Sequence, residues 1–338
     1  MRDNENPNSN RIVLAGGSGV LGRLLSGALE AKGHELIVLT RFPERHQVGA
    51  ARRANRTPQR GVPTRSDLAK YVAWDARTLG SWREELEGAA AVINLTGRSV
   101  NCRYNAANRR AILESRVLST RVLGEAIAAC ANPPPTWLNA STATIYKHSF
   151  DRLMDETGEI AADKDAKDEF SVEVAQAWEQ ALDKAPTPAT RKIPLRLSMV
   201  FVPERGSVFP VLRRLVRFGL GGSMAGGRQF VAWIHHEDFC RAVVWILEHP
   251  ELRGPINVVA PNPLTNREMM AVFRKVCGAS FGLPAARWML EIGAFFMRTE
   301  TELMIKSRRA VPGKLPASGF QFNFATFQSA LEELEGHV

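Results

Sequence analysis

The chain has 338 residues, 45% hydrophobic and 23% charged, a balance that fits a soluble globular protein with one large unit and a smaller one. No apolar stretch approaches the roughly 20 residues needed to span a membrane as a helix. The four cysteines, Cys102, Cys130, Cys240 and Cys277, are scattered without metal-type spacing, so neither a disulfide framework nor a cysteine metal cluster is expected, and a reducing, cytoplasmic setting follows.

Taken in order, Met1 to Asn10 is polar and Asn-rich, lacks the apolar core of a signal peptide, and reads as a disordered tail. The run Ile12-Val13-Leu14 reads as a strand. The stretch Gly16-Gly17-Ser18-Gly19-Val20-Leu21-Gly22 follows it and opens an apolar-periodic segment from Val20 to Lys32. Glycines at 16, 19 and 22, set between a strand and a helix, match a dinucleotide-binding loop. The first permits a tight turn, the second lets a pyrophosphate approach the backbone, and the third lets the helix pack on the strand. The free N–H groups of the helix start then hold the phosphates. A second strand, Glu35 to Leu39, completes a βαβ unit.

That second strand runs into Thr40-Arg41, with no acidic residue at its tip. A carboxylate there would suit a ribose 2′-hydroxyl, whereas an arginine suits a 2′-phosphate. The expected cofactor is therefore NADP rather than NAD. The next segment, 41–70, holds eight basic residues and two acidic ones, and so carries +6 of the net charge of +9. Pro43, Pro58, Gly61 and Pro63 mark it as a surface loop. No aromatic residue interleaves 47–66, so stacking on bases is not expected, and neither is nucleic-acid binding.

Strand-like and helix-like runs then alternate, which argues for a parallel sheet with helices on both faces. Tyr71 to Trp74 reads as a third strand ending at Asp75, and Ser81 to Leu86 as a short helix capped by its serine. Ala91 to Leu95 is a fourth strand. A long helix spans 105–130, with Leu113, Val117, Thr120, Gly124 and Ile127 on one face, and Pro133-Pro134-Pro135 stops it. Trp137 to Ala140 is a fifth strand delivering Ser141-Thr142 at its end. A helix over 169–182, a strand over 193–200 and another over 256–259 follow. Ligands of open α/β sheets bind outside the carboxyl ends of the strands, so Thr40-Arg41, Asp75, Leu95-Thr96-Gly97, Ser141-Thr142 and the residues after Val200 should gather at one edge.

Beyond residue 200 the character changes. Gly219, Gly221, Gly222, Gly226 and Gly227 form a glycine-rich loop that reads equally as a mobile linker or a substrate lid. His235 and His236 stand beside Trp233 with no third ligand at suitable spacing. Glu237-Asp238 begin a helix there, so the pair reads as structural and no metal is expected. From 261 the chain reads as helices, capped at Thr265 or Asn266, with no alternation that suggests a second sheet.

Together these residues resemble the extended short-chain dehydrogenase/reductase family, also described as NAD(P)-dependent epimerases/dehydratases. The matching pieces are the glycine loop 16–22, Asp75, Asn94-Leu95-Thr96-Gly97, Ser141-Thr142-Ala143-Thr144-Ile145-Tyr146, Leu195-Arg196 and Trp233 to Asp238, in the family's order over about 11–260. A closer likeness is to an atypical epimerase-like branch, carried by Ser115-Arg116, Trp178-Glu179, Gly219-Leu220-Gly221-Gly222 and Pro261 to Asn266. Phe281 to Pro284 and Val311-Pro312 look like that branch's short C-terminal domain of unknown function. The resemblance implies an α/β fold: a Rossmann-type doubly wound parallel sheet over 11–260, with 205–235 contributing to the substrate lobe, and a small, mainly helical C-terminal domain over 261–338. It also implies cofactor contacts from Gly16, Gly17, Ser18, Gly19, Val20, Leu21 and Gly22 to the pyrophosphate and from Thr40 and Arg41 to the adenosine phosphate. Leu95 and Thr96, with Gly97 beside them, would line the adenine-ribose side, Asp75 would touch the adenine, and Arg116 would reach in from the long helix.

The parent family pairs a tyrosine with a lysine four residues on, which lowers the phenol's pKa for proton exchange, while a serine or threonine orients the substrate oxygen. Tyr71, Tyr104 and Tyr146 are followed at that spacing by Asp75, Asn108 and Phe150, so the pair is absent. Where it should lie, the chain reads Phe170-Ser171-Val172-Glu173-Val174. Three substitutes stay open: Ser141 or Thr142 at the strand end, Tyr146 with Lys147 beside it, and Glu173 or a bound water. The expected function is an NADP(H)-binding, epimerase-like oxidoreductase of an unknown small substrate, with Ser141 and Tyr146 as candidate catalytic groups. The alternative is a non-catalytic NADP-binding redox sensor or partner-binding protein. Oligomeric state is not written in the sequence.

Overall fold

The computed structural model describes residues 10–45, 69–204, 206–297 and 300–337. Most of the basic segment and the N-terminal tail lie outside the described residues. In chain order the elements are β1 (Arg11–Ala15), α1 (Val20–Ala31), β2 (Glu35–Thr40), β3 (Lys70–Ala73), β4 (Ala91–Asn94), α2 (Ala106–Ala128), β5 (Thr136–Thr142), α3 (Glu169–Asp183) and β6 (Arg191–Leu197). After them come β7 (Met199–Phe201), α4 (Val208–Arg217), β8 (Phe230–Val231), β9 (Trp233–His235), α5 (His236–Glu248), β10 (Ile256–Val258) and β11 (Leu264–Thr265). The chain ends with α6 (Asn266–Val276), α7 (Arg287–Met297), α8 (Glu302–Ile305), α9 (Lys314–Ala317) and α10 (Phe327–Gly336).

Seven strands form one sheet in the order β10-β6-β5-β4-β1-β2-β3, and every pairing in it is parallel. The chain builds outward from β1 through β2 and β3, then returns to the other side of β1 for β4. This reversal is the switch point at which an open α/β sheet leaves a crevice beyond its strand ends. The strands are near-continuous apolar runs because both faces are covered. Alternation assigns their residues to two cores. Ile12, Leu14, Leu36 and Ile93 pack with Leu25 and Leu29 of α1 and Phe239 and Val243 of α5. Val13, Ile37, Leu39 and Val92 face the other way, onto Val122, Leu123 and Ile127 of α2. Truncating one such buried leucine to alanine costs about 2–5 kcal/mol.

The long helix begins where Asn105 accepts the Asn108 N–H at 2.8 Å, and the expected face residues Val117, Thr120, Gly124 and Ile127 are buried. Residues 81–86 form a 3-10 turn entered from Gly80, without the expected serine cap. Trp74 falls just beyond β3 and packs edge-on against Trp82 of that turn. The expected strand over 193–200 breaks at Ser198. Its edge partner β10 ends at Val258, opposite Leu197, so the chain turns and β7 pairs instead with β9.

Past residue 260 the chain is mainly helical, and Thr265 caps α6 in a capping box with Glu268. One short antiparallel pair, β11 with β8, interrupts the helical pattern. A third core joins Phe201, Phe209, Leu212 and Trp233 to Phe273, Phe327 and Leu331, so residues 201–233 and the C-terminal helices share one apolar interior. The glycine-rich loop is zipped to the segment 283–285. Leu283 N donates to Gly219 O, Gly222 N to Leu283 O, and Ala225 N to Ala285 O. A Cβ at Gly222 would sit 2.3 Å from the Leu283 carbonyl carbon, so only glycine allows that approach. Among the described residues no helix is long and apolar enough to cross a membrane.

Candidate active site

The glycine loop leaves β1 with Gly16 at φ +78°, in the left-handed region. A Cβ on Gly16 would lie 3.0 Å from Leu95 C and Thr96 N, and one on Gly22 only 2.4 Å from Gly17 Cα. These two glycines are required by the protein itself, for the turn and for seating α1 on the loop. Gly19 differs. Among the described residues a Cβ there meets only Gly16 O at 3.5 Å, an ordinary contact, so none of them demands glycine. Gly19 is the N-cap of α1 and supplies no side-chain cap. The first-turn N–H groups and the positive end of the dipole are left for an outside anion.

The loop forms one wall of a cleft of about 570 Å³. Leu95 and Gly97 after β4, Ser141 and Thr142 at the end of β5 with Thr144 beyond it, and Leu197 at the end of β6 with Ser198 beyond it continue it. Arg116 of α2 and Phe170, Val174 and Trp178 of α3 close the far side. The ends of β4, β5 and β6 thus meet at this cleft, whereas Thr40, Arg41, Asp75, Thr96 and the residues after Val200 are not among its lining.

Gly16, Gly19, Val20, Leu21, Gly22, Leu95, Gly97, Arg116 and Ser141 all line this cleft. Gly17, Ser18 and Thr96 are not among its lining residues. The Thr40 hydroxyl is buried, donates to Ser18 Oγ at 3.3 Å and accepts from Phe42 N, so it braces the loop. Arg41 is exposed at the tip of β2, with its guanidinium 5.8 Å from the Phe42 ring centroid and Arg45 on the same ring. Asp75 is spent on its own turn. Its carboxylate accepts from Arg77 N, Thr78 N and the Thr78 hydroxyl, and these bonds, the hydroxyl's first, hold it below its usual pKa.

Asn94 accepts the Thr96 N–H at 3.0 Å and donates to Asn139 at 2.8 Å. Thr120 receives the Trp178 indole N–H at 3.1 Å, which locks α2 to α3. Thr96 Oγ1 is buried without a hydrogen-bond partner among the described residues. Arg116 donates to the carbonyls of Arg98 and Ile112, lies 5.0 Å from the Trp178 centroid, and has no ion-pair partner among the described residues. Burial brings its pKa down to about 10, so it is still a cation near neutrality. A Cβ at Gly97 would press on this guanidinium at 3.2 Å. An open helix N-terminus and an unpaired cation in one cleft fit a bound dinucleotide.

Ser141 donates to Glu179 Oε1 at 2.6 Å. Glu179 takes a bidentate bond from Arg196, with both contacts at 2.9 Å. Arg196 also donates to Tyr146 Oη at 2.8 Å, and Tyr146 donates to Asn257 Oδ1 at 2.7 Å. The two candidate catalytic groups are therefore the ends of one chain of bonds, and only Ser141 reaches the cleft. Tyr146 is 2% exposed, and burial pushes its phenol up against the opposing pull of Arg196. Lys147 pairs with Glu159 at the surface, and Glu173 is exposed outside the cleft.

Sequence reasoning set aside Tyr104, yet this tyrosine lines the cleft. Its ring meets Phe170 edge-on at 5.0 Å, and its hydroxyl is buried. Burial, with the Glu302 charge nearby, pushes it up to about 12. Nearby, Lys306 pairs with Asp168 and bonds Thr144 O, and Arg308 donates to Thr144 Oγ1 at 3.1 Å. These groups come from the far C-terminal segment, and no local spacing announces them.

A family model for the NAD dependent epimerase/dehydratase family matches residues 12–259. The chain belongs to this family. A second model, a domain of unknown function named DUF1731, matches residues 285–334. The epimerase family protein YfhF of Bacillus subtilis is 29% identical over 323 residues, covering 96% of this chain and 97% of that protein. The epimerase family protein SDR39U1 of Bos taurus is 28% identical over 330 residues, covering 96% and 99%. The crystal structure of the human epimerase family protein SDR39U1, which contains NADPH, superposes with a TM-score of 0.78 at 25% identity, covering 97% of this chain and all of that one. A Thermus thermophilus UDP-glucose 4-epimerase in complex with NAD has a TM-score of 0.68 at 17% identity and shares the fold. The glycine loop, the cleft and the sheet reversal are thus those of an NAD(P)-binding epimerase-family chain.

Proposed function

We propose that this chain binds NADP(H) in the cleft and acts as an epimerase-like oxidoreductase on a small carbonyl or hydroxyl compound. The observation that carries the reading is the pairing of an unobstructed α1 N-terminus at Gly19 with Arg116 across the cleft and Arg41 at the tip of β2. Two negative phosphates fit between the first two, and a third, on the adenosine ribose, suits the Arg41 side. The NADPH in the human relative's structure supports the same choice.

When bound, the reduced cofactor supplies a hydride to the substrate carbon. The chain's own residues must hold the substrate oxygen and give it a proton. Ser141 stands at the end of β5 with its hydroxyl bonded to Glu179 at 2.6 Å, and would have to turn that proton into the cleft to hold a carbonyl oxygen. Tyr104, protonated across the neutral range, holds a proton at Oη for that oxygen. Phe170, Val174 and Trp178 exclude water beside it. The same apolar face, where the family's tyrosine and lysine are missing, favours a second reading: a non-catalytic NADP-binding protein. NADPH oxidation across a panel of carbonyl compounds separates the two. Turnover that falls at least about tenfold in Ser141→Ala and Tyr104→Phe, with NADPH affinity kept, supports catalysis. Tight NADPH binding with no turnover of any compound supports the second reading.

A further inference from the structure

We propose that His236, Glu333 and His337 form a divalent transition-metal site joining the start of α5 to the C-terminal helix α10, with His235 positioning the carboxylate. The sequence offers no third ligand near the histidine pair. The fold brings one from far along the chain, since Glu333 Oε2 lies 2.8 Å from His235 Nε2.

The tautomer of His235 follows from its other bond. Its Nδ1 accepts the Glu237 N–H at 3.3 Å while it caps α5, so the neutral ring carries its proton on Nε2 and donates it to Glu333. His235 is therefore committed to orienting Glu333 rather than to ligation. The other carboxylate oxygen, Oε1, faces His337 Nε2 at 2.7 Å, one helical turn along α10. His236, the first residue of α5, has a buried Nε2 with no hydrogen-bond partner among the described residues. The ligand-capable atoms of His235, His236 and Glu333 all lie within 4.8 Å of one another. A buried, unsatisfied imidazole nitrogen beside a carboxylate is costly unless something fills the gap. A metal cation can fill it, because an imidazole nitrogen that bears no proton offers a lone pair.

Two imidazoles and one carboxylate, without a thiolate, suit Zn²⁺ and its neighbours Co²⁺, Ni²⁺ and Cu²⁺ rather than Ca²⁺ or Mg²⁺. The His235-to-Glu333 bond supplies the outer support that such carboxylate ligands need. None of the three ligands lines the cofactor cleft. The role is therefore structural, pinning α10, whose Phe327, Leu331 and Leu334 lie in the third core.

The test uses the full chain without a histidine tag, stripped of metal and titrated with Zn²⁺ against a chromogenic chelator. Co²⁺ absorption serves as a second readout. One equivalent of Zn²⁺ should bind, Co²⁺ should give d–d bands, and Zn²⁺ should raise the melting temperature. His236→Ala and His337→Ala should each weaken Zn²⁺ by at least about tenfold. The His337 side chain is 62% exposed, so its removal leaves the fold intact. A wild-type chain that takes up no stoichiometric Zn²⁺ overturns the site. So does affinity left at full strength in His337→Ala.

Discussion

The Arg116 guanidinium lies 5.0 Å from the centroid of Trp178, both residues lining the cleft, with its charge unanswered by any carboxylate among the described residues. An unpaired, largely desolvated cation is a liability in the free protein and an asset once an anion binds. Arg116→Met should weaken NADPH and NADH alike, by roughly tenfold to a hundredfold, the equivalent of about 1.5–3 kcal/mol for a charge-assisted bond. The free protein should melt no lower than wild type. Calorimetric titration with both cofactors, together with a melt, reads both effects.

Arg41 makes the opposite prediction about selectivity. It is exposed, its guanidinium lies 5.8 Å from the Phe42 ring centroid, and the proposed NADP site would put the extra phosphate beside it. Arg41→Ala should cost NADPH about tenfold or more in affinity and leave NADH within about twofold. Equal losses for the two cofactors would remove the basis for preferring NADP.

The loop glycines separate stability from binding. Gly22→Ala forces a Cβ to 2.4 Å from Gly17 Cα and should lower the melting temperature sharply. Gly19→Ala meets no such obstacle and should change stability by less than about 1 kcal/mol. It should still weaken cofactor binding, because its methyl group stands where a phosphate approaches. A Gly19→Ala chain that binds NADPH as well as wild type would place the phosphates elsewhere.

The buried network gives a fourth test. Arg196 and Glu179 have side chains only 4% and 15% exposed, so Glu179→Ala strands a buried cation and should cost about 3–5 kcal/mol. Tyr146→Phe removes two bonds, from Arg196 and to Asn257, and should cost about 1–3 kcal/mol while leaving turnover per folded molecule nearly unchanged. Turnover that vanishes in a well-folded Tyr146→Phe would return Tyr146 to the chemistry.

A further prediction concerns pH. Tyr104 is held up to about 12, so its proton is present throughout the usual assay range. Any rate that depends on Tyr104 as an acid should show no loss assignable to a phenol between about pH 6 and 9, because the protonated form is kept until the pH nears the raised value. A basic limb in that window that disappears in Tyr104→Phe would contradict this role.

Much of this was legible in the sequence, for identifiable reasons. The glycine spacing, the apolar strands and the Asn105-to-Pro133 helix frame are local patterns, and local patterns survive folding. Thr40 and Asp75 were legible as positions but not as roles. Whether a hydroxyl braces Ser18 or a carboxylate closes its own turn depends on neighbours a few ångströms away. Tyr146 shows the limit most clearly. Its place after Ser141 suggested chemistry, but Arg196 and Asn257, far along the chain, occupy its hydroxyl. Tyr104 and the Lys306–Arg308 segment reach the cleft region through long-range packing that carries no spacing signal. The same holds for Glu333 beside the histidine pair.

The central claim is that the cleft is an NADP(H) site, and direct titration of the full chain with NADPH and with NADH tests it most directly. Trp178, which lines the cleft, serves as a fluorescent reporter. The account predicts saturable, one-to-one NADPH binding, at least about tenfold tighter than NADH. No saturable binding of either cofactor, or NADH bound as tightly as NADPH, would contradict it.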